Sequence, residues 1–269
     1  MSPPATRYDA HLHLQDPRLA GCLEEAFAYY EAGGAGRVVC NGVGEADWPD
    51  VEVLSRTHPV VLPSYGLHPW QVGKQSPQWR DDLRRRWDQG GCGAGEIGLD
   101  RWIEGYDLPA QEDAFCWQFA EAAARDLPIS IHCLRAWGEL HRLLRELPRP
   151  RRGFLLHSYG GSAELGRQLA RLGARFSIAG HFGRPRKRRQ REVFASLPEG
   201  RLLVETDAPD MLGPPELVER PARDAAGQPV NHPANLEAVY RFAAELRQRP
   251  LEDFAASVER TFKALFGPA

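Results

Sequence analysis

Six side chains of metal-ligating type stand at the ends of short apolar runs: His11, His13, Glu96, His132, His157 and Asp207. In Asp9-Ala10-His11-Leu12-His13-Leu14 the polar residues take the odd positions and the apolar ones the even. Alternate residues of a strand share a face, so both imidazoles project the same way. One His-x-His is as readily a core or surface pair. The pattern recurs, however. Glu96 lies in Ala94-Gly95-Glu96-Ile97-Gly98, His132 closes Ile129-Ser130-Ile131-His132, His157 closes Phe154-Leu155-Leu156-His157, and Asp207 follows Leu202-Leu203-Val204-Glu205-Thr206. A lone histidine at a strand end is more often a hydrogen-bonded structural residue. Four histidines and two carboxylates at five strand ends indicate a metal site, because polar groups ending apolar strands are costly to desolvate unless paired or metal-bound.

The chemistry such a set supports is hydrolysis. Mixed imidazole and carboxylate donors favour Zn²⁺, Mn²⁺ or a similar first-row ion, whereas all-oxygen sets favour Mg²⁺ or Ca²⁺. A divalent ion lowers the pKa of bound water from about 15.7 toward about 7, and two ions about 3.5–4 Å apart stabilise both the attacking and leaving oxygens of a phosphodiester.

The elements that must position these residues alternate along the chain. Short apolar runs predict strands at 8–12, 37–41, 60–65, 92–97, 129–132, 153–157, 175–178 and 202–205. Amphipathic runs predict helices at 19–32, 78–88, 111–125, 136–147, 163–172, 188–196, 234–247 and 251–266. This alternation predicts an α/β fold with a parallel sheet and helical crossovers. At 269 residues a single (β/α)8 TIM barrel spanning 1–269 is the leading architecture, with a doubly wound open sheet as the alternative. In a barrel the C-terminal strand ends converge on one mouth, where the metal site would lie. The segment 208–233 is long, irregular and rich in Pro and Gly, as functional loops often are.

Composition narrows the class. With 34 basic and 36 acidic residues the formal net charge is −2, which argues against coating nucleic acid by bulk charge but leaves room for a local basic patch. No apolar run approaches the roughly 20 residues of a membrane helix. The opening MSPPATRYDAHLHL lacks the pattern of a signal peptide. Five scattered cysteines without a CxxC read as reduced thiols of a cytoplasmic protein, and a monomer is the expected state.

The motifs together resemble the TatD family of metal-dependent deoxyribonucleases, within the amidohydrolase-like barrels. They are DAHLHL at 9–14, GLHPW at 66–70, GEIGLDR at 95–101, PISIHC at 128–133, LLHSYGGS at 155–162 and LLVETDAPDM at 202–211, with weaker support from NHPANL at 231–236 and LFG at 265–267. The resemblance implies two divalent ions, Zn²⁺, Mn²⁺ or Mg²⁺. His11, His13 and Asp207 would hold one, His132 and His157 the other, and Glu96 would bridge them and set their spacing. His68 would face a substrate phosphate. The implied activity is phosphodiester hydrolysis, a deoxyribonuclease of 3′-5′ exonuclease character acting on single-stranded DNA or another phosphodiester. Asp207 would double as ligand and as the base that takes a proton from the attacking water. Three departures fall on expected substrate contacts: Trp70 where the family often has a second His, Leu134 with Arg135 beside it where an Arg is common, and Val230-Asn231-His232-Pro233 in place of Arg-Asn-Glu-Pro. They leave open a carboxylic ester, lactone or amide as substrate, or a binding protein without turnover.

Other residues carry two readings each. Trp70 stacks on a base or caps the core. Arg184 begins a basic run to Arg191 that follows the seventh strand and either holds a phosphate backbone or is a solvated helix start. Glu205 is expected to point into the barrel as an orienting carboxylate. Asp100 either contacts substrate or makes an ion pair with Arg101. Gly160-Gly161-Ser162 reads as a loop capped by Ser162 or as an anion site. Among the unassigned histidines, His181 is the one expected nearest the site. Ser158 lacks the leading Gly of a nucleophile elbow, and Cys133 alternates away from His132, so neither predicts a nucleophile.

Overall fold

The computed structural model describes residues 5–267. Parallel strands follow in chain order: β1 Tyr8–Leu12, β2 Arg37–Asn41, β3 Val61–Ser64, β4 Ala94–Asp100, β5 Ile129–Leu134, β6 Phe154–Leu156, β7 Ala174–Ile178 and β8 Leu202–Val204. They pair in two runs, β1-β2-β3 and β4-β5-β6-β7-β8. Backbone hydrogen bonds stitch both seams. At one, Gly93 N–H donates to Pro63 O and Tyr65 N–H to Gly93 O. At the other, Asp207 N–H donates to His11 O and His13 N–H to Ala208 O. Sequential order with both seams joined is the (β/α)8 barrel that the alternating runs predict.

The strands are apolar because helices cover them. Every residue of β4 is buried, and β1, β6 and β8 are buried throughout. Around them lie α1 Leu23–Tyr29, α2 Trp48–Thr57, α3 Trp79–Asp88, α4 Leu108–Ala124, α5 Trp137–Glu146, α6 Ala163–Arg171, α7 Arg188–Ser196, α8 Leu236–Leu246 and α9 Leu251–Phe266. Local chemistry sets their starts. The Asp107 carboxylate accepts from Ala110 N–H to cap α4, and the Ser162 hydroxyl accepts from Leu165 N–H to cap α6. Ser162 is thus the cap that one sequence reading expected. The buried faces follow helical spacing, as in Leu140, Leu143 and Leu144 of α5.

Three elements differ from the sequence reading. The helix expected over 19–32 begins only at Leu23 and ends in a wide turn at Tyr30–Gly34, where Gly33 takes the left-handed φ of 88°. Helix α2 is additional. Its Val51, Val53 and Thr57 favour helix weakly, and burial of Trp48 and Val51 secures it instead. The 208–233 segment contains a small antiparallel hairpin, β9 Pro221–Arg223 with β10 Pro229–Asn231. A proline opens each strand, which masks the pattern. The Asp224 carboxylate closes the turn by accepting from Ala226 and Gln228 N–H. No helix among the described residues is long and apolar enough to cross a membrane, and all five cysteines are unpaired.

Candidate metal centre

Glu96, on fully buried β4, sits at the middle of the polar mouth. Its Oε2 lies 3.4 Å from His11 Nε2 and 3.4 Å from His13 Nε2. Its Oε1 lies 2.8 Å from His157 Nε2 and 3.1 Å from His132 Nδ1. One carboxylate oxygen therefore faces each half of the histidine set. Asp207 Oδ1 closes the first half, 3.7 Å from His11 Nε2 and 3.5 Å from His13 Nε2. The rings of His11 and His157 stack at 4.0 Å, which joins the halves.

The rings of His13, His11 and His132 are aimed by what their other nitrogen touches, while His157 Nδ1 is buried without a hydrogen-bond partner. His13 Nδ1–H donates to Asn41 O at 2.8 Å, which leaves Nε2 facing the centre of the site. His11 Nδ1 meets Ser130 Oγ at 2.9 Å. His132 is turned the other way: its Nε2 meets Asp100 Oδ2 at 2.9 Å, so Nδ1 faces Glu96. His157 Nδ1 has Glu205 Oε1 at 3.8 Å behind it. Close approach of β4 to β5 depends on Gly98, where a Cβ would overlap His132 O.

These positions fit a cation. Two donors each about 2.1 Å from one ion stand roughly 3.0–3.4 Å apart at tetrahedral to octahedral angles, and the spacings around Glu96 centre on that range. His11 Nε2 and Glu96 Oε1 are buried and have no hydrogen-bond partner, a costly state for polar atoms that a cation would relieve. Three overlapping groups are compact enough to hold an ion: His11, Glu96 and His157; His11, His13 and Asp207; His68, Glu96 and His132.

Protonation follows from burial and neighbours. Burial, then the charge on His157, pushes His11 down to about 4. His13 is pulled down by burial but raised more by Asp207 and Glu96, to about 10. His132 is likewise raised by Asp100 and Glu96, against burial, to about 9. The imidazoles hold Glu96 well below its ordinary range despite its burial. Asp207 stays low, against its burial, through His13 and His157, whereas burial and the charge of Asp207 push Glu205 well up. Glu96 and Asp207 thus both face the imidazoles as low-pKa carboxylates, with the raised carboxyl of Glu205 behind them.

The six residues named from the sequence converge in the structure, while several others take different partners. His68, expected to face a substrate phosphate, stands beside Glu96. It is buried with Nε2 3.6 Å from Glu96 Oε1, and burial holds its pKa down at about 4. Trp70 is 45% exposed, and its Nε1–H donates to Asp100 Oδ2 at 2.7 Å, so it is not a core cap. Asp100 is therefore the partner of His132 and Trp70, and Arg101 pairs with Glu139 instead. Arg135 is exposed, its guanidinium 3.9 Å over the Trp102 ring. Arg184 donates to Leu212 O and Gly213 O, and Arg191 to Phe182 O and Arg184 O, so both guanidinium groups fasten loops. Glu205 points inward as expected, accepting from Ser158 N–H and sharing a bond with Ser177 Oγ. His181 is buried, and burial lowers its pKa to about 3, with Asp207 and His157 close enough to act on it.

Asp9, Asn41 and Ser130 are the residues that sequence reasoning missed. Asp9 accepts from Thr206 N–H and Oγ1–H, which ties β1 to the end of β8. Their signal was available: Asp9 and Ser130 each stand two residues before a ligand-type histidine, on the same strand face.

Comparison with known proteins decides the family. Residues 8–267 match the family described as TatD related DNase. The chain belongs to that family. It is similar to the uncharacterized metal-dependent hydrolase YjjV of Escherichia coli K12, 28% identical over 261 residues and 96% of each chain. It is also similar to the 3′-5′ ssDNA/RNA exonuclease TatD of Klebsiella pneumoniae strain 342, 27% identical over 263 residues and 97% of each. The crystal structure of E. coli YjjV superposes with a TM-score of 0.87 at 26% identity, covering 98% of both chains. A TatD family hydrolase from Entamoeba histolytica shares the fold, with TM-score 0.84 at 18% identity over 99% of this chain and 100% of that one. As a TatD-family member the chain is a metal-dependent hydrolase of the ester-bond class.

Proposed function

We propose that this TatD-family protein hydrolyses phosphodiester bonds of single-stranded nucleic acid from the 3′ end, with two divalent ions. The observation that carries the reading is the division of Glu96, with one oxygen toward His11 and His13 and the other toward His132 and His157. His11, His13 and Asp207 would hold one ion and His132 and His157 the other, with Glu96 available to both. When bound, the ions supply positive charge against phosphoryl oxygens and acidify water at the site. The chain supplies the rest. Asp207, kept ionised by its histidines, takes the proton of the attacking water through its carboxylate. Asp100 and Asn41 hold the imidazoles in the tautomer that turns a lone pair inward. His68, neutral beside Glu96, donates toward the substrate phosphate. The exonuclease activity named for the Klebsiella relative supports this substrate class.

The test is metal-stripped protein reloaded with Zn²⁺, Mn²⁺ or Mg²⁺ and given 5′-labelled single-stranded DNA. The expected result is a ladder that shortens one nucleotide at a time from the 3′ end, with about two ions bound per chain. A fully loaded protein that leaves DNA and RNA intact but cleaves carboxylic esters or lactones would overturn it. Trp70, standing where the family often carries histidine, is the observation that keeps that second reading in the assay.

A further inference from the structure

Among the described residues five large hydrophobic side chains are exposed, and four of them share one rim: Trp70, Trp102, Tyr106 and Leu134. Trp70 follows β3, Trp102 and Tyr106 follow β4, and Leu134 ends β5, all at the C-terminal mouth. An exposed apolar patch gathered beside a polar centre marks a binding surface rather than scatter.

The patch is wired to the metal centre by one buried carboxylate. Asp100 Oδ2 accepts from Trp70 Nε1–H at 2.7 Å and meets His132 Nε2 at 2.9 Å, while Oδ1 accepts from Trp102 N–H at 2.6 Å. Asp100 itself is fully buried. The Trp70 ring lies 6.2 Å from that of His132. Trp102, 58% exposed, carries the Arg135 guanidinium 3.9 Å from its ring centre. Flat rings held open to solvent, with a cation beside them, suit an unstacked base and its neighbouring phosphate.

We infer that Trp70, Trp102 and Arg135 form a shelf on which unpaired bases of a single-stranded nucleic acid stack while a backbone phosphate lies at His68. The inference rests on the phosphodiester reading and adds where the bases go. It requires single strands, because a base held in a duplex has no free face to offer two separate rings. The shelf favours bases by stacking, without reading their edges, so sequence preference is weak.

The experiment measures binding of labelled, cleavage-resistant phosphorothioate oligothymidylate to the metal-loaded protein, against an abasic strand of equal length and charge. Wild-type protein is expected to prefer the base-bearing strand. Trp102→Ala removes the exposed ring but keeps the backbone N–H that meets Asp100, so it tests stacking without disturbing that anchor. The preference is expected to fall on the order of tenfold in Trp102→Ala and to persist in Trp102→Phe. A wild-type preference left intact by both Trp102→Ala and Trp70→Ala would overturn the shelf. Protein that cleaves DNA yet binds both strands equally sinks the shelf and leaves the phosphodiester reading standing. Protein that cleaves only carboxylic esters and binds both strands equally sinks both.

Discussion

His132 Nε2 and Asp100 Oδ2 lie 2.9 Å apart, and this contact decides that Nδ1, not Nε2, of His132 faces Glu96. Losing the carboxylate frees the ring to rotate and weakens the tautomer. Asp100→Ala is expected to lower affinity for a divalent ion by about 10–100-fold. Titration of stripped protein with Zn²⁺, followed by calorimetry, checks this. Unchanged affinity would show that packing alone fixes the ring.

Asp207 is proposed as ligand and base. Asp207→Asn keeps the shape, the backbone bond to His11 O and one donor oxygen, but removes the proton acceptor. Turnover of single-stranded DNA should fall on the order of 10³-fold with the far-ultraviolet dichroism unchanged. A metal-loaded, folded variant with wild-type turnover would remove Asp207 from the proton transfer.

Without metal, stability should depend on pH in a defined direction. The folded-state pKa values of His13 and His132, about 10 and about 9, lie above the ordinary 6.5. The stabilisation from their protonation is fully present below about 6.5 and is lost as pH rises through about 9–10. Stripped protein should therefore melt progressively lower from pH 7 to 10. Metal binds the deprotonated rings, so Zn²⁺ should flatten or reverse that slope and raise the midpoint at every pH above 7. Differential scanning fluorimetry reads both; a flat stripped-protein profile would contradict the charge assignment.

Arg184 tests two roles of the basic run. Its guanidinium is engaged with Leu212 and Gly213 carbonyls. Arg184→Ala should cost about 1–3 kcal/mol in urea unfolding, the scale of lost charged hydrogen bonds. The salt dependence of DNA turnover should change little, because that side chain anchors a loop. A loss of salt dependence with stability intact would return Arg184 to the phosphate backbone.

Glycine 98 marks a backbone limit. A Cβ there would overlap His132 O, so Gly98→Ala should part β4 from β5 and displace Glu96 from His132. The expected signature is weakened ion binding together with a lowered melting midpoint. Wild-type ion affinity would show that the strands can shift without cost to the centre.

The six ligand-type residues and the barrel were legible in the sequence for one reason. Strand periodicity fixes the face of His11 and His13, and the alternation of runs places His132, His157 and Asp207 in or just after the fifth, sixth and eighth strands, which a closed barrel must bring together; Glu96, expected at the end of its strand, stands instead third in β4, Ala94–Asp100. What the sequence could not decide was contact across strands distant in the chain. That Asp100 belongs to His132 and Trp70, that Arg184 fastens the 212–213 carbonyls, that Asp9 grips Thr206, and that His68 lies inside the cluster are consequences of tertiary packing. Local patterning specifies which face a side chain takes; only closure of the barrel specifies which other side chain stands opposite, because that distance depends on the register and twist of every strand between them.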